Sequence, residues 1–112
     1  MIEIRRTIGE DFPDILALLR QLWPGRGLEV ESVRAVFVEA LSSGTCLYFS
    51  ACHDGHVIGF ASLQILTSLR TAGRFGHLDE LVVDEALRGR GIGGRLLEAV
   101  TAEARTRDCI RI

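Results

Sequence analysis

Two adjacent carboxylates and a turn rich in glycine and arginine are the parts of this sequence best suited to chemistry. Asp79 and Glu80 lie in an otherwise apolar segment, where a charge costs free energy unless it is hydrogen-bonded, so a role in a cleft is favoured. Because neighbouring strand residues point to opposite faces, only one is expected to face a given cleft unless a bulge re-aims them. The alternative that one of them pairs with an arginine, such as Arg74, stays open.

The turn precedes a segment with helical periodicity and reads Arg88-Gly89-Arg90-Gly91-Ile92-Gly93-Gly94. The first amides of a helix have no intrahelical partners, and the helix dipole leaves partial positive charge there. Glycines let a ligand approach the main chain, and Arg88, Arg90 and Arg95 add positive charge around the turn. These features predict a site for a phosphate or pyrophosphate.

The spacing of the glycines narrows the choice of ligand. A nucleoside-triphosphate loop requires a lysine followed by serine or threonine, and the chain contains no such pair. Gly89, Gly91 and Gly94 match the dinucleotide fingerprint, but no βαβ pattern with an acidic residue about 20 positions further on accompanies them. A plain glycine-rich connection with solvated arginines is the other alternative, although it explains the glycines and the arginines separately.

Hydrophobic periodicity predicts the elements that position these residues, in the order β-α-α-β-β-β-α-β. Asp54-Gly55 is a hairpin signal between two of the strands, and Arg70–Arg74 is predicted as the next turn. The segments are strands at 2–8, 45–52, 57–69, 77–83 and 109–112, and helices at 12–23, 30–41 and 92–107. The last helix buries the face that carries Ile92, Leu96, Val100 and Ala104.

Length and composition predict one domain, 1–112, of an ordinary globular protein. The chain has 112 residues, of which 47% are hydrophobic and 25% charged, and its net charge of −2 argues against a general nucleic-acid binder. Three cysteines without paired spacing indicate reduced thiols in a cytoplasmic protein. No signal sequence or membrane span is predicted, and His53 and His56 complete no metal site.

Arg88-x-x-Gly91-x-Gly93, directly after a Leu-Val-Val strand end, resembles the acetyl-CoA pyrophosphate loop of the GNAT family of N-acetyltransferases. The consensus sequence of this loop in the family is Gln/Arg-x-x-Gly-x-Gly/Ala. The similarity extends over nearly the whole chain. The residue types at positions 76–81 and the pattern near Cys109 look closest to the glucosamine-6-phosphate N-acetyltransferase-like branch. The resemblance implies the α/β (α+β) acyl-CoA N-acyltransferase fold, a mixed, mostly antiparallel sheet flanked by helices, without the family's last helix and strands.

The resemblance also implies an activity, namely transfer of an acetyl group from acetyl-CoA to the primary amine of a small molecule by direct attack. It makes Asp79 the first candidate for the base or amine-binding acid, with Glu80 second. The family's oxyanion donor is a backbone N–H of the segment 81–83. The implied cofactor contacts are Leu81, Val82, Val83, Arg88, Gly89, Arg90, Gly91, Ile92, Gly93 and Gly94. The family's general acid is usually a tyrosine from a helix after the next strand, which lies beyond the expected elements of this chain, and Tyr48, in an early strand, does not match it.

Two other functions stay open from the sequence. One is a non-catalytic acyl-CoA-binding or interaction domain, and the other is a nucleotide-binding protein, which requires ATP or NAD to compete with CoA. The predicted last strand, Cys109–Ile112, is expected to leave an open sheet edge. Since open edges invite pairing with another chain, a homodimer is expected.

Overall fold

A computed structural model describes residues 1–112, apart from the side chain of Ile110. The predicted order β-α-α-β-β-β-α-β is confirmed, with short 3-10 turns before the first helix and before the last. The elements are β1 Glu3–Arg6, α1 Phe12–Leu22, α2 Val30–Leu41, β2 Cys46–His53, β3 His56–Ser68, β4 Gly73–Val83, α3 Ile92–Thr106 and β5 Cys109–Arg111.

The strands form one sheet in the order β1-β2-β3-β4-β5, so each strand pairs with the strand next to it along the chain. The first three pairings are antiparallel, and β4 pairs with β5 in parallel. The β2–β3 hairpin turns at Asp54 and Gly55, whose φ angles of 50° and 78° suit the twist of a tight hairpin. The prediction of a mixed, mostly antiparallel sheet and of this hairpin is therefore confirmed.

Each face of the sheet is covered by helices and has its own core. On the α3 face, the buried stripe predicted for the helix packs on the sheet, and Leu96 and Val100 are fully buried. On the α1/α2 face, Phe12, Ile15 and Phe37 pack against side chains of β3 and β4. Full burial of each such side chain stabilises the fold by about 1.5–3 kcal/mol. β4 is thus held from both faces.

A buried carboxylate ties β1 to the start of α1. Both Asp11 side-chain oxygens accept hydrogen bonds from Arg5, at 2.8 and 2.9 Å. The backbone N–H of Ile8 donates to the same carboxylate at 2.9 Å, and the Ser50 hydroxyl donates at 3.3 Å. Burial acts to raise the pKa of Asp11, but these hydrogen bonds outweigh it and hold the pKa below its ordinary value.

Two predicted boundaries are wrong. β4 begins at Gly73 rather than His77, because β3 runs to Ser68 and pairs there with Gly73, which leaves only a short turn. Ala72 takes a φ of 56° in that turn. β1 ends at Arg6, so Ile8 lies outside the strand, where its N–H joins the Asp11 cluster.

No helix in the described chain combines the length and the apolar character needed to cross a membrane.

Candidate active site on the two sides of β4

A bulge in β4 decides where the two carboxylates point. Glu80 pairs with Ser62 of β3, but Leu78 pairs with the next residue, Leu63, so Asp79 is the extra residue. Asp79 lies 3.3 Å from His77 (Oδ1 to Nε2), as expected for residues two apart. The bulge puts both carboxylates on the α1/α2 face, which regular alternation does not allow.

Ser62 holds Glu80 at two points. The Ser62 hydroxyl donates to Glu80 Oε1, and the Glu80 backbone N–H donates to Ser62 Oγ at 3.0 Å. Ser62 is itself 1% exposed and pairs on its other side with Tyr48 of β2. Tyr48, Ser62 and Glu80 therefore form a row across three strands on one face of the sheet.

The environment of Glu80 favours its neutral form more than water does. Burial raises the pKa of Glu80 above its ordinary value, and the nearby charge of Asp79 adds to that increase. The Ser62 hydrogen bond acts in the opposite direction but is outweighed. A carboxylate with a raised pKa is a better proton acceptor near neutral pH, which is what a general base requires. Burial also raises the pKa of Tyr48, to about 12, so its hydroxyl keeps its proton.

Glu80 opens into a cleft of about 330 Å³ between α1, α2 and the sheet. Aromatic side chains from four elements form much of its wall. They are Phe12, Trp23, Phe37, Tyr48 and Phe60. A concave apolar pocket with one convergent carboxylate is a common form of binding site for a small molecule.

Asp79 occupies a different position from Glu80. It does not line the cleft, and its side chain contacts His77, which is 61% exposed. His77 and Asp79 share a face, as alternation predicts. Arg74, the suggested partner for one of the carboxylates, donates instead to the carbonyl of Arg107 at 3.2 Å. The structure thus brings Glu80, the second candidate of the sequence, to the cleft.

The edge of β4 that points away from β3 presents main-chain groups. The Asp84 N–H donates to the Ile58 carbonyl of β3 at 2.8 Å. Since main-chain groups of an antiparallel strand alternate between its two edges, those of Leu81 and Val83 point away from β3. Arg88 Nε donates to the Val83 carbonyl at 3.0 Å on that edge. Within the described chain, β5 pairs with β4 only at Arg74 and Phe75.

The glycine turn leads from this edge into α3. Gly89 and Gly91 have φ angles of 84° and 78°, which residues with a Cβ rarely adopt. Gly91 is the N-cap of α3, where no side chain caps the helix, and the first intrahelical bond runs from the Arg95 N–H to the Gly91 carbonyl at 3.2 Å. The amides of the first turn therefore remain available to an anion.

A second cavity, of about 290 Å³, joins the β4 edge to this turn. Seven of the predicted cofactor-binding residues line it, namely Leu81, Val83, Arg88, Gly89, Gly91, Ile92 and Gly93. Leu87, which was not predicted, also lines it. Val82 is 4% exposed and packs in the core of the α1/α2 face, and neither Arg90 nor Gly94 lines the cavity. Arg95 donates to the Ile2 carbonyl at 3.0 Å, so this arginine is directed at β1.

The two histidines beside the β2–β3 hairpin pair with carboxylates. His53 Nε2 lies 3.3 Å from Asp54, and His56 Nδ1 lies 3.7 Å from Asp14. In the part of the chain that the structure describes, no cluster of three or more His, Cys, Asp or Glu residues is placed to hold a metal ion.

Sequence reasoning missed Ser62 and the aromatic wall of the cleft. Ser62 is one small residue within a long apolar strand, and its partner lies 18 residues away. The wall draws on segments that are distant along the chain, so periodicity identifies each aromatic side chain as core and says nothing of a cavity among them. The break in alternation at Leu78-Asp79-Glu80-Leu81 was the available signal, because two apolar residues separated by two polar ones indicate a bulge.

Comparison with known proteins identifies relatives of this arrangement. The Acetyltransferase (GNAT) family matches residues 12–112. Glucosamine 6-phosphate N-acetyltransferase 1 of Oryza sativa subsp. japonica is 34% identical over 101 residues, which are 87% of this chain and 61% of the relative. Aminoalkylphosphonate N-acetyltransferase of Salmonella typhimurium is 33% identical over 103 residues, which are 92% of this chain and 66% of the relative. The chain thus spans somewhat under two thirds of the length of these curated relatives.

Solved structures give the same fold. A glucosamine-6-phosphate N-acetyltransferase from Arabidopsis thaliana superposes with a TM-score of 0.86 at 24% identity, over 99% of this chain and 79% of that one. An aminoglycoside N-acetyltransferase in complex with CoA superposes with a TM-score of 0.84 at 25% identity, over 99% of this chain and 74% of that one. The predicted acyl-CoA N-acyltransferase fold is confirmed.

Proposed function

We propose that this chain, which belongs to the GNAT acetyltransferase family, is an acetyl-CoA-dependent N-acetyltransferase acting on a small primary amine. Its relatives include glucosamine 6-phosphate N-acetyltransferases, as predicted. One observation carries the proposal. β4 presents a cavity with main-chain groups that point away from β3 and helix amides on one side, and a half-buried carboxylate in a cleft on the other. A donor and an acceptor can thus approach the same strand from two directions.

The cofactor side is suited to CoA. The first amides of α3 at the Gly91 turn would donate hydrogen bonds to its pyrophosphate, and Arg88 and Arg90 would supply balancing charge. The main chain of Leu81 and Val83 along the edge of β4 would pair with its amide-bearing pantetheine arm, as with an added strand. CoA delivers the acetyl group as an activated thioester. A backbone N–H of the segment 81–83 donates to the oxygen that gains negative charge during transfer.

The amine side centres on Glu80. An ammonium group has no lone pair to attack with, so a base must first accept its proton. Glu80 faces the cleft and has the pKa shift that suits this role. Asp79 acts through its charge, which helps to raise the pKa of Glu80. Ser62 positions the Glu80 carboxylate from the neighbouring strand.

The test combines binding and turnover. Calorimetry with CoA is expected to show one site per chain, and acetyl-CoA with a panel of amines is expected to release free thiol. Binding of CoA without thiol release for any amine would support the non-catalytic acyl-CoA-binding domain instead. Equal competition by ATP or NAD at the CoA site would contradict the assignment of the cofactor.

The proposal also covers the domain organisation, the location in the cell and the oligomeric state. Residues 1–112 act as one domain, the protein works in the cytoplasm, where its three free cysteines stay reduced, and it forms a homodimer. β1 and β5 are the outer strands of the sheet, and outer strands pair readily with another chain. Light scattering at tens of micromolar is expected to give the mass of two chains; the mass of one chain would contradict the dimer.

A further inference from the structure

The composition of the Glu80 cleft restricts the amine that it can take. Among the described residues that line it, Glu80 carries the only carboxylate, and none is arginine, lysine or histidine. Tyr48 and Ser32 contribute hydroxyl groups, and the remaining side chains are aliphatic or aromatic. A ligand in this cleft therefore meets one negative charge and a largely apolar wall.

The aromatic part of the wall is continuous. The ring centres of Phe12 and Phe37 lie 5.1 Å apart, those of Phe37 and Tyr48 6.1 Å, and those of Tyr48 and Phe60 5.2 Å. Aromatic faces attract a cationic ammonium and also bury apolar substituents. The combination of these rings with a carboxylate suits an amine whose other end is apolar.

The same surface is unsuited to a phosphate or phosphonate group. Such anions are usually bound by arginine forks, helix N-termini or main-chain amides. Two arginines stack on lining rings without lining the cleft themselves. Arg34 lies over Phe12 at 4.6 Å and pairs with Glu31, and Arg26 lies over Trp23 at 5.3 Å. An anion placed beside Glu80 also meets a like charge and loses its hydration.

We propose that the acceptor is a primary amine carried on an aromatic or aliphatic group, and not a phosphorylated amino sugar or an aminoalkylphosphonate of the kind that the relatives are named for. This proposal rests on the proposed function, in that the Glu80 cleft is taken as the acceptor site. The volume of about 330 Å³ limits the acceptor to a compact molecule, such as a single ring on a short amine-bearing arm.

Trp23 provides a direct readout, because it is the only tryptophan of the chain and it lines the cleft. The full chain is titrated, without CoA, with 2-phenylethylamine and with glucosamine 6-phosphate while Trp23 fluorescence is followed. We expect 2-phenylethylamine to bind at least tenfold more tightly than glucosamine 6-phosphate. Equal or tighter binding of glucosamine 6-phosphate, or no binding of 2-phenylethylamine, would overturn the proposal.

A matched pair of variants on α2 tests the apolar wall. Val36 lines the cleft and is 63% exposed, whereas Val38 is 57% exposed and does not line it. Val36→Arg adds a cation at the wall and is expected to weaken 2-phenylethylamine binding about tenfold while improving binding of glucosamine 6-phosphate. Val38→Arg is expected to change neither. Because both sites are exposed, both variants are expected to fold, and identical responses would contradict the proposal.

The outcomes separate this inference from the proposed function. Thiol release with glucosamine 6-phosphate but not with 2-phenylethylamine would leave the acetyltransferase standing and reject the apolar acceptor. Tight binding of 2-phenylethylamine without thiol release, in a chain that also binds CoA, would reject the acetyltransferase while keeping the apolar amine as the ligand of the cleft.

Discussion

The two sides of β4 differ in the part of the residue that they offer to a ligand. Toward α1 and α2, β4 offers a side chain, that of Glu80, which is held by Ser62 beside a wall of aromatic rings. Along the edge that points away from β3, it offers main-chain groups next to a turn with positive φ angles and to the free amides of α3. The first side responds to side-chain chemistry, and the second responds to anything that changes backbone conformation.

This difference explains which substitutions each side tolerates. Leu81 and Val83 can change to other apolar residues without altering the hydrogen-bonding groups of their main chain, so their identities carry little information about the cofactor. Glu80 has no such freedom, since even glutamine keeps its shape but lacks its basicity. The predictions below test this contrast, beginning with the largest effect.

Glu80→Gln is expected to lower the rate of acetyl transfer by about 10²- to 10⁴-fold, because general acid–base catalysis typically contributes that much. CoA affinity is expected to stay within about twofold of the parent chain, since Glu80 does not line the cofactor cavity. Steady-state kinetics and calorimetry on the same preparation give both values. A full rate in Glu80→Gln would remove Glu80 from the role of base and return Asp79 to consideration.

Gly91→Val is expected to weaken CoA binding about tenfold or more, because forcing a β-branched residue to a φ of 78° costs about 1–3 kcal/mol or shifts the turn. Gly55→Val is the matched control, since Gly55 has the same φ of 78° in the distant β2–β3 hairpin. Both variants are expected to lose similar stability in urea denaturation. Only Gly91→Val is expected to lose CoA affinity, and parallel losses in both would point to strain alone.

The pH dependence of the rate separates Asp79 from Ser62. The acidic limb of kcat/KM is expected above pH 4.5, the ordinary value for glutamate, because burial and then the charge of Asp79 raise the pKa of Glu80. Asp79→Asn removes a charge that raises this pKa, so the limb is expected to move to lower pH. Ser62→Ala removes a hydrogen bond that lowers it, so the limb is expected to move to higher pH.

The pKa of the free amine substrate is the same in assays of the parent chain, Asp79→Asn and Ser62→Ala. Differences in the acidic limb between these proteins therefore arise from the enzyme. We also expect Asp79→Asn to retain at least about a tenth of the parent rate and its CoA affinity, because a residue whose charge only adjusts the pKa of the base contributes less than the base itself. Shifts of the limb in the same direction for both variants would contradict the arrangement around Glu80.

The smallest effect is expected from the arginines of the turn. Arg88→Gln is expected to weaken CoA binding about three- to tenfold at low salt and less at high salt, because exposed charges are screened. Arg95→Gln is expected to leave CoA affinity unchanged, since this guanidinium contacts the Ile2 carbonyl. Calorimetry at two salt concentrations checks both, and a larger loss for Arg95→Gln would mean that its contact with β1 is exchanged for the ligand.

Much of the fold and half of the site follow from local patterns. The strand, turn and helix around Gly91 are consecutive in the chain, so glycine spacing, periodicity and the family resemblance together point to seven of the eight residues that line the candidate cofactor cavity. The amine side depends on contacts between distant segments, such as Ser62 with Glu80 and Tyr48 with Phe60. A sequence pattern shows that each of these residues is buried or strand-forming, but it does not show that they meet around a cavity.

The ranking of the two carboxylates also shows that a sequence pattern does not reveal contacts between distant segments. The resemblance to the family ranks Asp79 first, and alternation without a bulge lets only one of the two carboxylates face a cleft. The bulge permits both to share a face, and side-chain burial then distinguishes Glu80, which lines the cleft, from Asp79, which contacts an exposed histidine. Register shifts of this kind depend on the partner strand, which a single segment does not specify.

The bulge also makes Asp79 a supernumerary residue of β4. If residue 79 is removed, Leu78 and Glu80 become neighbours on opposite faces, and the segment from Leu78 to Leu81 returns to simple two-residue repetition. A deletion of this one codon therefore preserves the direction of the Glu80 side chain and its pairing with Ser62. The bulge thus lets β4 lose one residue without turning the Glu80 side chain away from the cleft.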